Sequence, residues 1–287
     1  MKITIIEANS DLGVKVDGAN LGPHILSEHF KDKFDVVKVD KGNFTKNKEE
    51  NNKCRNLEAV NDFDERLYNT ILELKENNIF PLNFGGDHTV AIPSALASIK
   101  KEDSLGIIWI DAHSDYNTFE TTVTGNLHGL PLAAVNERCN NLTKFHKGNY
   151  YKNENTVIVG GRDIDDWEWP NLEKDHIKVF TTEDIHKYGP EEIMRQAFEI
   201  ASNGTKGVHI SYDIDVIDPV VAPGVSVPAR DGITKEEALE IADIIPKYKN
   251  IIKSMDVVEF NPTTDIDHKT EDLAVEIINR ITKIKED

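Results

Sequence analysis

The sequence is short of several things. It has only two cysteines, Cys54 and Cys139, in 287 residues, too few for a disulfide framework, so a reducing cytoplasm is the expected setting. It is short of cations: 33 Lys+Arg against 51 Asp+Glu leave a net charge of −18. Nucleic acid and anionic lipid both need a basic surface, so neither is expected as a partner. Long hydrophobic runs are missing as well. No stretch approaches the ~20 apolar residues of a membrane helix. The N-terminal MKITIIEANSDLG holds an apolar run too short for a signal-peptide core, and Glu7 closes it. No fixed-period repeat stands out.

What is present fits a soluble globular protein, with 39% hydrophobic and 29% charged residues. The length suits one large α/β domain, taken here as residues 1–287. The polar run 41–55, KGNFTKNKEENNKCR, reads as a surface excursion within it. Short β-branched runs recur along the chain, beginning at Ile3, Phe34, Ile79, Leu105, Thr156, Ile177, Gly207 and Ile251. Several are apolar on both faces, as strands buried between helical layers should be. Between them, 57–75 spaces Leu57, Val60, Leu67, Ile71 and Leu74 near helical periodicity, and 272–283 reads as a closing amphipathic helix. Thr234 followed by Glu237 has the spacing of a capping box. The expected fold is a three-layer α/β/α arrangement around a mostly parallel sheet of about eight strands. Ligand sites in such sheets lie beyond the carboxyl ends of the strands.

Acid and histidine stand there. The run LGIIWI leads into Asp111, His113 and Asp115, which would share one face if the chain stayed extended. GVHISY leads into Asp213 and Asp215. IFPLNF leads into Gly85 and Gly86, expected to permit a sharp turn, and then to His88. Four clustered carboxylates repel one another and raise their own pKa values unless a positive charge sits among them. Two divalent ions bring a charge that balances four aspartates. Oxygen ligands with a minority of histidine and no cysteine favour a metal such as Mn²⁺ over structural zinc. Two such ions roughly 3.5–4 Å apart can share and acidify one water.

These motifs resemble the ureohydrolase (arginase–agmatinase) superfamily. The matches are Gly85-Gly86-Asp87-His88, Asp111-Ala112-His113-Ser114-Asp115, Gly125-Asn126-Leu127-His128-Gly129-Leu130-Pro131, Ser211 through Pro219, and Glu259-Phe260-Asn261-Pro262, with Gly13, Gly18 and Gly22-Pro23 ahead of them. The resemblance implies two manganese ions per chain. His88, Asp111, Asp115 and Asp213 would hold one, His113 and Asp215 would complete the other, and some aspartates would bridge. It implies hydrolysis of a guanidino or related amidino carbon, usually with release of urea, and often a trimer or hexamer. Glu259 would pair with the guanidinium, Asp115 would take a proton from the nucleophile, and His128 would relay one to the departing amine.

The loop after Asp115 resembles the arginase form. There Asn117 and Thr124 stand where an α-carboxylate is received, and Asp165 stands where an α-ammonium is met. That favours L-arginine or a close analogue as the small-molecule substrate, with agmatine second. The run Val225-Ser226-Val227 departs from the arginase pattern and looks closer to formimidoylglutamases. A non-catalytic metal-dependent binding protein is the alternative from another class, and His128 and Glu259 argue against it. His209, two residues before Ser211, reads as a packed histidine. Trp167 and Trp169 read as packing residues near the mouth of the site.

Overall fold

The computed structural model describes residues 2–48 and 54–285; positions 49–53 of the polar excursion lie outside the described residues. The chain runs β1 (Ile3–Asn9), α1 (Gly22–Glu28), β2 (Asp35–Asp40), α2 (Leu57–Glu76), β3 (Phe80–Gly85), α3 (Ala91–Glu102), β4 (Gly106–Ile110), α4 (Pro131–Val135), β5 (Thr156–Gly161), α5 (Glu168–Lys174), β6 (Lys178–Thr181), α6 (Thr182–Tyr188), α7 (Pro190–Ser202), β7 (Val208–Asp213), α8 (Lys235–Ile244), β8 (Ile252–Val258) and α9 (Lys269–Ile281). All eight expected strands form. They make one parallel sheet in the order β2-β1-β3-β8-β7-β4-β5-β6.

Alternation along the strands explains why both faces are covered. Ile108 and Ile110 of β4 join one apolar cluster with α1, α6, α7, α8 and α9. Ile107 and Trp109 join the other with α2, α3, α4 and α5. Successive side chains of a strand point to opposite faces, so a strand apolar at every position needs a layer on each side. The capping box forms at the start of α8: Thr234 Oγ1 accepts from Glu237 N, and Glu237 Oε2 accepts from Thr234 N. The last helix begins at Lys269, three residues before the expected start, because Asp265 accepts from Thr270 N and Glu271 N and fixes its first turn. Among the described residues, no helix is long and apolar enough to cross a membrane.

Strand order positions the site. After β3 the chain passes over two strand positions and forms β4 three places along the sheet. The two positions between β3 and β4 are later taken by β8 and β7. Such switch points open a crevice beyond the carboxyl ends of the strands. His88 follows β3, Asp111 follows β4, Asp213 ends β7 and Glu259 follows β8.

Candidate metal centre and substrate cleft

His88 is fully buried and is the hub. Its Nδ1 lies 3.1 Å from Asp111 Oδ2, 3.0 Å from Asp115 Oδ2 and 3.0 Å from Asp213 Oδ2. Its Nε2 lies 2.9 Å from Ser211 Oγ, and its ring stacks on Trp109 at 4.1 Å. Trp109 also donates from Nε1 to Asp111 Oδ2 at 2.9 Å. A second set forms around His113, whose Nδ1 lies 3.0 Å from Asp215 Oδ2 and 3.5 Å from Asp111 Oδ1. Two groups of convergent ligand atoms result: His88 with Asp111 and Asp213, and Asp111 with His113 and Asp215. Asp111 belongs to both and offers a different oxygen to each.

The local backbone explains how these side chains meet. Asp111, His113 and Asp115 do not converge by staying extended. Asp115 has φ 49°, in the left-handed region, so the segment turns after β4 and brings its carboxylate back to His88. Glu259 also has a left-handed backbone, with φ 67°. Such conformations are costly for side-chain-bearing residues and persist where the surroundings over-determine them. Asp213 caps a short 3₁₀ turn, accepting from Asp215 N at 2.7 Å, and so aims both carboxylates at the rim. Gly86 is needed for space rather than for a turn. A Cβ there would lie 1.9 Å from Ser10 O, and its φ is not positive.

The charges are unbalanced as they stand. Burial and the neighbouring Asp111 charge push Asp115 up to about 7. Burial, Asp215 and Asp111 push Asp213 well above the usual carboxylate range. His88 is pushed well above 6.5 despite its burial, because three carboxylates face it. His88 Nδ1 and Asp115 Oδ2 have no hydrogen-bond partner although both are buried. Buried polar atoms normally have partners. Separations near 3 Å between ligand atoms are those along an edge of an octahedron whose corners lie roughly 2.1 Å from a central cation. The residues present therefore fit divalent cations.

Beside this rim, Glu259 Oε1 accepts from His88 N at 2.8 Å and from His128 Nδ1 at 2.9 Å. Glu259 Oε2 is buried without a partner. Burial works against a charged His128, but the Glu259 carboxylate outweighs it and raises the imidazole pKa. A cleft of about 250 Å³ joins these groups to Asn117, Thr124 and Asp165. Asn117 Nδ2 donates to Asp165 Oδ2 at 3.0 Å, and Asn117 Oδ1 accepts from Thr121 Oγ1 at 2.9 Å. Thr124 sits exposed at the mouth and accepts from Asn126 N. His88, His113, Asp115, His128, Asp213, Asp215, Asn117, Thr124 and Asp165 line this cleft; Asp111 and Glu259 do not line it but both contact His88.

Sequence reasoning missed other residues there. Asp163 lies 3.7 Å from His113 Nε2, and buried Glu168 accepts from Ser114 Oγ at 2.6 Å, Tyr116 N at 2.9 Å and Asp165 N at 2.9 Å. Ser211 stood in a matched motif without a role, although it shares a strand face with Asp213. Glu168 follows no strand and carried no such signal. Trp167 and Trp169, expected as packing residues near the mouth, are instead 46% and 41% exposed. His209 is fully buried, as read.

Fold and site together define a class: a parallel α/β protein with acid–histidine clusters able to hold metal at the carboxyl rim of its sheet and a carboxylate–imidazole pair beside them. The family model for the arginase family matches residues 1–283. An arginase of Staphylococcus aureus (strain COL) is 34% identical over 96% of this chain and 95% of its own length. An arginase of Bacillus subtilis (strain 168) is 34% identical over 97% of each chain. The native structure of the Bacillus caldovelox arginase superposes with a TM-score of 0.90 at 31% identity, covering 100% of this chain and 99% of that one. The chain belongs to the arginase family.

Proposed function

We propose that the protein is a manganese-dependent hydrolase of L-arginine, releasing urea from its guanidino carbon. The observation that carries this reading is Glu259 Oε2, a buried acceptor without a partner beside the acid–histidine rim. A guanidinium fills that vacancy with a charge-assisted hydrogen bond. His88, Asp111, Asp115 and Asp213 would hold one ion, and Asp111, His113 and Asp215 the other. Two manganese ions bound there supply Lewis acidity and a nucleophile from water near neutral pH.

The chain's own groups do the rest. Glu259 orients the guanidinium so that its carbon faces the rim. Asp115 accepts a proton from the nucleophile. His128, whose pKa Glu259 raises, gives a proton to the departing amine nitrogen. Asn117, Asp165 and Thr124 receive the amino-acid end of the substrate.

The test is a substrate panel with Mn²⁺: L-arginine, agmatine, guanidinobutyrate and formimidoylglutamate. L-Arginine should give the highest kcat/KM. Arginine and agmatine differ by one carboxylate, and a site built to bond a polar group rejects an analogue that lacks it. Asn117→Ala should therefore lower turnover of arginine more than that of agmatine. A kcat/KM for agmatine above that for L-arginine would overturn the substrate and leave the hydrolytic chemistry standing.

A further inference from the structure

The opposite rim of the sheet carries a second cavity, of about 290 Å³, beneath the amino ends of β3 and β8. Four lysines line it, Lys75, Lys101, Lys249 and Lys253, with one carboxylate, Glu102. In a chain of net charge −18 this is a local reversal of sign. Lys75 differs from the other three. It stands in the last turn of α2, its side chain is only 4% exposed, and its Nζ donates to Lys253 O at 3.1 Å and lies 3.4 Å from Glu102 Oε1.

We propose that Lys75 is a site of covalent acylation by small anionic acyl donors of the acyl-phosphate class. The cavity admits a molecule of that size, and Lys101, Lys249 and Lys253 attract its phosphate. In the step, the neutral Nζ attacks the acyl carbon and a C–N bond forms as the C–O bond to phosphate breaks. Inorganic phosphate leaves, and the amine proton passes to Glu102 or to the leaving phosphate. The product amide keeps one N–H for Lys253 O or Glu102 and removes a buried charge from a crowded lysine cluster.

The state of the amine favours this. Burial lowers the Lys75 pKa to about 8; Glu102 acts the other way, and Lys253 and Lys101 add to the lowering. An amine titrating near 8 is roughly half free base at pH 8, against under about 1% for an ordinary lysine. Its weaker basicity gives back part of that advantage, so about a tenfold faster reaction than at exposed lysines is expected.

The experiment treats the metal-loaded protein with acetyl phosphate at pH 8 and follows acetyl occupancy of each lysine by peptide mass spectrometry. Lys75 should label about tenfold faster than the exposed Lys247 and Lys235. Lys101→Met should slow Lys75 several-fold with acetyl phosphate, and less with a neutral acetylating ester, because it removes an attracting charge as well as a neighbour that favours the free amine. Labelling of Lys75 no faster than that of Lys247, in folded protein, would overturn the proposal. So would equal slowing of both reagents in the variant, since the cavity would then not be selecting an anion.

Discussion

Among the described residues, two buried histidine–carboxylate assemblies draw on β7 and β8. One surrounds His88 at the open rim. The other surrounds His209 inside the sheet, under α3. His209 Nε2 donates to Asp256 Oδ2 at 3.0 Å, which leaves Nδ1 to accept from Ser254 Oγ at 2.7 Å, and Asp256 Oδ1 accepts from Ser94 Oγ at 2.5 Å. All four side chains are fully buried, and none of their polar atoms lacks a partner. Around His88, by contrast, Nδ1 and Asp115 Oδ2 are buried and unpartnered, and three carboxylates crowd one ring nitrogen. His209 and Asp213 lie on one strand face four residues apart, yet one belongs to a closed network and the other to an open one. A satisfied network stabilises a core. An unsatisfied one waits for a ligand.

The largest effect should come from removing the acceptors that the open assembly shares. Asp115→Ala or Asp213→Ala should lower bound manganese below two ions per chain and bring turnover below detection, because ligand loss removes the source of the nucleophile. Metal analysis of the double variant is decisive: full occupancy would remove the two-ion assignment. Next comes His128→Asn. His128 touches Glu259 and not the rim carboxylates at bonding distance, so metal content should hold while kcat falls by ~10²–10⁴. Loss of metal together with activity would make His128 a ligand.

The contrast between the assemblies also bears on what the sequence could reveal. The eight strands were legible because β-branched and aromatic residues recur in short runs, several of them apolar at consecutive positions. The rim was legible because strand ends point to one edge, so His88, Asp111, Asp213 and Glu259 could be placed together without knowing the strand order. The turn that swings Asp115 back was not legible, since a left-handed aspartate carries no local marker. Glu168 was hidden for another reason. Its place depends on how the loop before α5 folds over Ser114, a contact between residues 54 apart. His209 was read as packed, but its partners Ser94, Ser254 and Asp256 come from two other elements and no spacing links them.

A smaller effect separates the metal-free from the loaded protein. Asp115 is raised from 3.8 to about 7 when no cation is present. A carboxyl whose pKa is raised by folding binds its proton more tightly in the native state, so its contribution is lost as pH rises above the unfolded value. His88, also raised, acts in the same direction through its own titration. Asp111 is held low by His113 and His88 against its burial and titrates below this window. Metal-free protein should therefore lose thermal stability as pH rises from about 4 to about 7. Bound manganese replaces those protons, so the loaded protein should be more stable and lack that slope. Melting curves with and without chelator across this range check it, and a metal-free stability that rises toward pH 7 would contradict the charge balance argued for the rim.

The smallest effect on turnover should come from the closed assembly. His209→Ala leaves the Asp256 carboxylate with Ser94 alone and leaves Ser254 Oγ without its acceptor, in a region water does not reach. Losing a partner from a buried charge costs about 2–4 kcal/mol. For a chain of this size that is a fall in Tm of roughly 5–10 °C. Yet the network makes no bond to His88, Asp213 or Glu259, so manganese content and kcat of the folded protein should stay within about twofold of the parent. His209→Ala and His128→Asn then part in kcat, the first sparing it and the second lowering it. If His209→Ala lowered kcat by ~10² while Tm held, the two assemblies would be coupled through β7, and the division between a closed structural network and an open chemical one would fail.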